Sequence, residues 1–169
     1  PDHPWTLSHP EYFMHGTNEE LARLPEEFLA VQGNIYARGR DPYIYPWQDV
    51  VQLNVFSPDL RQQMITTLLD IAAQCDGLRC DMAMLMNTDI FTQTWGTRAG
   101  APPKTEYWTE IFATLKQAHP RFTWIAEVYW DMEWQMQQLG FDYCYDKRLY
   151  DRLVVANLGA PATVEPIAE

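Results

Sequence analysis

Arg79 and Asp81 stand two residues apart in the run Asp76-Gly77-Leu78-Arg79-Cys80-Asp81, which reads as a short strand ending on a carboxylate. Residues two apart on a strand share a face. A guanidinium beside a carboxylate favours the charged form of the acid, the form a carboxylate needs to act as a nucleophile. A second apolar run, Phe122-Thr123-Trp124-Ile125-Ala126, ends on Glu127. Two carboxylates at strand ends are the minimum set for cleaving a glycosidic bond with retention. One attacks the anomeric carbon; the other protonates the leaving oxygen and then activates water, provided the carboxyls sit about 5–5.5 Å apart. Neighbouring parallel strands, about 4.8 Å apart, can place terminal side chains at that separation. A plain Arg79–Asp81 ion pair with an unrelated Glu127 fits the same spacing, and the pattern alone does not choose.

The elements that would hold these residues can be read on either side of them. Ser57-Pro58 is a helix start, with Ser at the cap and Pro in the first turn. Leu60, Met64, Ile65, Leu68, Leu69 and Ala72 follow at helical spacing. A strand is expected over 76–80, a long loop over 82–103, and a helix over 104–118 with the stripe Tyr107, Trp108, Ile111, Phe112 and Leu115. His119-Pro120 ends that helix. A strand over 122–126, a short helix capped by Asp131 and stopped by Gly140, a strand over 141–145 and a helix over 148–156 complete the series. The charged run Asp146-Lys147-Arg148 reads as the solvated start of that helix. Residues 1–56 hold Pro4, Pro10, Pro25, Pro42 and Pro46 and look irregular, with a helix expected over 18–30 that restarts near Pro25. Residues from 157 on read as loop. Alternation of helix and strand argues for a parallel sheet with crossover helices. Carboxylates at the C-terminal ends of such strands suit a (β/α) barrel, whose sites lie on that face.

Composition narrows the classes. The 169 residues carry a formal net charge of −11, which argues against a nucleic-acid partner and suits a neutral or cationic substrate. No apolar run approaches the roughly 20 residues of a membrane helix, so no membrane partner is expected. Cys75, Cys80 and Cys144 match no zinc spacing; Cys75 and Cys80 read as small buried hydrophobes. His9, His15 and His119 stand in no metal pattern. Aromatics make up 14% of the chain; most are expected to pack, and Trp130, just beyond Glu127, is the candidate to face a sugar ring. Gln52 and Asn54 either line a cleft or cap a turn.

The segment DGLRCDMAML resembles the nucleophile region of glycoside hydrolase family 13, the α-amylase family, whose pattern is Gly-x-Arg-x-Asp. WIAEVYW resembles its acid/base region, DVVQLNVFSPDLR the passage from its inserted domain into the third barrel helix, and LGFDYCYDKRLYDRL its sixth strand and helix. The segments occur in the family's order. The resemblance implies an α/β fold: a partial TIM (β/α)8 barrel over 57–169, from about the third helix to the sixth βα unit, preceded by an irregular, inserted-domain-like segment over 1–56. A whole barrel takes about 250 residues, and the family's Asn-His pair upstream and His-Asp pair downstream are absent here, so the chain reads as a fragment. Asp81 would be the nucleophile, Glu127 the acid/base and Arg79 the residue orienting Asp81. Met84 and Leu85 replace a Lys-His pair that contacts substrate in many α-amylases, and His3 and Trp5 would lie near the missing Asn-His loop. The implied partner is an α-glucan or oligosaccharide. No cofactor is implied; a Ca²⁺ site stays open, with Asn54 where many α-amylases place a calcium-binding Asp. Transfer to a sugar hydroxyl, or sugar binding without catalysis, are the alternatives to hydrolysis.

Overall fold

The computed structural model describes residues 2–157; the loop reading of the last dozen residues lies outside them. A single helical turn, α1 (Trp5–Ser8), leads through a 3-10 turn at Pro10–Tyr12 to α2 (Asn18–Arg23). Thr17 and Glu20 close a reciprocal capping box at the start of α2. The helix expected over 18–30 stops at Arg23. Beyond it β1 (Phe28–Val31) and β2 (Asn34–Ala37) form an antiparallel hairpin, Phe28 opposite Ala37 and Val31 opposite Asn34. The loop is Gln32-Gly33, both with positive φ, +50° and +89°. That is the two-residue turn whose twist matches paired strands, and it outweighs the helical spacing that precedes it.

The main unit follows. α3 (Pro58–Ala72) starts where expected: Ser57 Oγ accepts from the Leu60 N–H at 3.3 Å. Then come β3 (Gly77–Cys80), a 3-10 turn at Ala83–Met86, α4 (Thr88–Trp95), a 3-10 turn at Gly96–Ala99, α5 (Tyr107–Ala118), β4 (Thr123–Ala126), α6 (Glu133–Leu139), β5 (Tyr143–Cys144) and α7 (Lys147–Asn157). Asp146 caps α7 by accepting from the Leu149 N–H at 2.8 Å.

The expected loop over 82–103 therefore contains a helix. Thr88, Thr92 and Thr94 are weak helix formers, and the N-cap residue of α4, Asn87, makes no side-chain cap. The cap is supplied from far along the chain: Glu106 Oε2 accepts from the Thr88 N–H and hydroxyl at 2.9 and 3.0 Å. Phe91 and Trp95 then bury the inner face. Asp131 does not cap α6. It lies in the left-handed region with φ +59°, and its carboxylate binds Arg148 at 2.6 Å instead.

β3, β4 and β5 form a parallel sheet in chain order, Gly77 opposite Thr123, Cys80 opposite Ala126, and Ala126 opposite Cys144. Alternation sorts its faces. Cys80, Trp124 and Ala126 point into the core, with Leu78 and Cys144 packed against it. Arg79, Ile125 and Tyr143 are on the more open face. Between the sheet and its helices lies an aromatic stack: Trp108, Phe112, Trp124, Phe122 and Phe141, with ring centroids 4.8–5.6 Å apart. Trp124, Ile111, Leu115 and Met136 have no exposed surface, and each fully buried side chain of this size contributes roughly 1.5–3 kcal/mol. A second cluster of Tyr12, Phe13, Tyr36 and Leu60 joins the N-terminal segment to α3, with Met64 packed against both clusters. Cys75 is exposed, not buried as expected, because it falls after the end of α3 and before β3 begins; Cys80 is buried.

Candidate active site

Three residues follow directly on the three registered strand ends. Cys80, Ala126 and Cys144 sit level across the sheet, so the next residues, Asp81, Glu127 and Tyr145, stand side by side at its C-terminal edge. The ladder continues into this row: the Glu127 N–H donates to the Cys80 carbonyl at 2.9 Å and the Tyr145 N–H to the Ala126 carbonyl at 3.0 Å.

Arg79, one step back on the open face, reaches all three. Its Nη1 is 2.5 Å from Asp81 Oδ2, its Nη2 2.9 Å from Glu127 Oε2, and its Nε donates to the Tyr145 hydroxyl at 3.0 Å. One planar guanidinium thus fixes both carboxylates on neighbouring arms. The Tyr145 hydroxyl, then Asp81 and Glu127, push the Arg79 pKa further up, so the cation is permanent. The guanidinium also lies 5.5 Å from the Tyr145 ring centroid, within cation–π range.

The two carboxylates differ in surroundings. The Asp81 side chain is 73% exposed and that of Glu127 12%. Glu127 accepts from the Met82 N–H on Oε2 and from the Tyr129 hydroxyl on Oε1, both at 2.8 Å. Met82 itself has a φ of +44°, a left-handed turn immediately after Asp81 that costs a non-glycine residue of order 1–3 kcal/mol. The hydrogen bond to Glu127, with burial second, raises the Tyr129 pKa and keeps the phenol protonated.

Trp130 is half-buried and meets Tyr43 edge-on at 5.0 Å. Trp130 and Asp131 both have left-handed φ, +60° and +59°, a second strained turn close to a carboxylate. Met84 and Leu85 do not take the exposed positions expected of substrate contacts. The 3-10 turn at 83–86 folds them inward, Met84 with no exposed surface and Leu85 with 8%. His3 and Trp5 pack edge-on at 4.8 Å, and Trp5 lies against the second cluster beside Tyr12. Their contacts place them with the N-terminal segment rather than in the Arg79 network.

Tyr129 and Tyr145 belong to the constellation and were not singled out from the sequence. Tyr145 had a readable signal: it follows its strand as Asp81 and Glu127 follow theirs. Tyr129 had none, since its role depends on the turn after β4.

Asn54 uses its side chain on the backbone, accepting from the Phe56 N–H at 3.1 Å and donating to the Ala99 carbonyl at 3.3 Å. It caps a turn. Among the described residues no three His, Cys, Asp or Glu side chains cluster as a metal shell.

No family model and no curated protein matches the sequence. Solved structures do. An alpha-amylase from Lactobacillus plantarum is 21% identical with a TM-score of 0.60, over 96% of this chain and 33% of that one. The maltogenic alpha-amylase AmyB from Thermotoga neapolitana is 25% identical with a TM-score of 0.50, over 85% of this chain and 28% of that one. The chain is similar to alpha-amylases over most of its length, as its motifs suggested. It spans a third or less of the enzymes it matches.

Proposed function

From this likeness to alpha-amylases and from the strand-end geometry, we propose that the chain is the catalytic segment of a retaining α-glycosidase acting on α-glucosidic bonds of a glucan or oligosaccharide. The observation that carries the reading is the register of β3 on β4, which sets Asp81 beside Glu127 with one guanidinium holding both.

Asp81 is the nucleophile. Its carboxylate forms a bond to the anomeric carbon as the glycosidic C–O bond breaks, and Glu127 gives its proton to the departing oxygen. Water then attacks the glycosyl-enzyme, returning a proton to Glu127 and releasing Asp81. Glu127 is held in place by Arg79, by the Met82 N–H and by the Tyr129 hydroxyl. A hydroxyl both donates and accepts, so Tyr129 can rotate to accept from Oε1 when Glu127 carries the proton. Trp130, with Tyr43 edge-on beside it, is the candidate ring to stack on a sugar. The open sheet face bearing Arg79, Ile125 and Tyr143 is what an arc of a (β/α) barrel presents to the barrel's interior.

A second reading rests on the exposure of Asp81. A nucleophile 73% open to water is poorly sheltered, and sugar binding without turnover fits such a site. An activated fluoro-glucoside, which forms a slow glycosyl-enzyme, separates the two. Peptide mass spectrometry should find one glycosyl adduct, on Asp81, absent from Asp81→Asn. Saturable oligosaccharide binding with no adduct would favour the binding reading, and an adduct on another carboxylate would overturn the assignment. Water and sugar hydroxyls compete for the same intermediate, so product analysis at high sugar concentration distinguishes hydrolysis from transfer.

A further inference from the structure

Away from the carboxylates, a cavity of about 200 Å³ lies among α2, the hairpin and α4. Four of the protein's twelve basic side chains line it: Arg23, Arg38, Arg40 and Arg98. Glu20 and Glu27 face them, and four arginines against two glutamates leave two positive charges in a chain whose net charge is −11.

The two glutamates are already engaged. Glu27 holds Arg40 Nη1 at 2.7 Å, and Glu20 holds Arg98. Arg40 also lies 4.9 Å from the Trp95 ring centroid and Arg98 5.3 Å from that of Phe28, so both guanidiniums are pinned by charge and by an aromatic wall. The other two differ. Arg38 donates Nη1 to the Gln48 carbonyl, while its Nε is buried and without an acceptor. Arg23 is exposed at the cavity rim. A buried cationic donor without an acceptor costs at least about 1–3 kcal/mol, a cost carried by the Arg38 Nε, while the exposed Arg23 has its guanidinium open to a ligand at the rim.

We propose that this cavity is a binding site for a small oxyanion of the phosphate class, held by Arg38 and Arg23 against the wall of Arg40 and Arg98. Guanidinium forks match phosphate oxygens in pairs, and a cavity of about 200 Å³, below the roughly 300–1,000 Å³ of pockets for drug-sized ligands, suits a phosphate with a small substituent. The site is independent of the glycosidase reading and uses none of its residues.

Calorimetric titration with inorganic phosphate, against chloride at matched ionic strength, tests it. One saturable site is expected for phosphate and none for chloride. Arg38→Lys keeps the charge but loses the planar guanidinium fork, and should weaken binding at least tenfold. Arg23→Ala, an exposed change that leaves the fold alone, should weaken it several-fold and decides the matter if Arg38→Lys does not fold. A hexose monophosphate serves as a second arm: tighter binding than inorganic phosphate identifies a phosphorylated sugar as the ligand, and equal binding identifies the free ion. No saturable phosphate binding at millimolar concentration, an equal response to chloride, or unchanged affinity in Arg23→Ala would overturn the proposal.

Discussion

Arg79 holds two carboxylates, and the shorter contact should be worth less. Asp81 is 2.5 Å from Nη1 and Glu127 2.9 Å from Nη2. At equal dielectric the closer pair would be the stronger. The dielectric is not equal: the Asp81 side chain is 73% exposed and the Glu127 side chain 12%, against a half-open Arg79. An exposed pair is worth about 0.2–1 kcal/mol. A sheltered pair is screened less by water and salt and is worth more. Double-mutant cycles built on Arg79→Met, with Asp81→Asn in one and Glu127→Gln in the other, isolate each coupling. Urea unfolding at neutral pH is the readout. The Arg79–Glu127 coupling should exceed the Arg79–Asp81 coupling at least twofold. Raising salt to about 1 M, where the screening length falls to about 3 Å, should erase the smaller coupling and leave most of the larger. An Asp81 coupling equal to or above that of Glu127 would refute the argument that burial, rather than distance, sets the strength of these pairs.

Other expectations concern the scaffold. At Gly140, φ is +124° and a Cβ would lie 2.5 Å from Phe112 Cδ2; Phe112 is locked in the aromatic stack, so Gly140→Ala should cost roughly 1–3 kcal/mol, seen as a lowered urea midpoint, and a loss near zero would show that the ring can move. Burial pushes the Cys80 thiol from its usual 9.0 up to about 12. The folded state then keeps a proton that the unfolded chain loses, so stability is full below pH 9 and declines as pH rises toward 12. Each pH unit in that window should remove on the order of 1 kcal/mol, and Cys80→Ala should flatten the slope between pH 9 and 10; identical slopes in the two proteins would contradict this. Arg61, 2% exposed, donates to the Val55 and Thr105 carbonyls and to Glu110 at 2.6, 2.9 and 2.6 Å. Arg61→Met should cost roughly 2–4 kcal/mol by leaving those acceptors without it; Arg61→Lys should recover little, since an ammonium lacks the fork, and full recovery by Lys would show that charge alone matters.

The candidate site's residues were legible in the sequence because they depend on local order. An Arg two before an Asp at a strand end, and a Glu ending a second strand, can be read from short windows, and so can the Ser57-Pro58 helix start and the stripe of α5. The motifs also carried the likeness to alpha-amylases. What escaped was settled by residues distant in the chain. α4 forms because Glu106 caps it from 18 residues away, which no window over 82–103 contains. The 28–37 hairpin took precedence over a helical spacing because pairing and a two-residue turn outweigh a weak local propensity. Met84 and Leu85 follow Asp81 closely, yet the turn at Met82 sends them into the core. The sequence by itself determined which groups are present and at which strand ends they sit. Only the tertiary structure decided that β3, β4 and β5 lie in parallel register, so that Asp81, Glu127 and Tyr145 converge on Arg79. Local propensities act over a few residues, whereas register and burial are set by side chains that meet only when the helices close over the sheet.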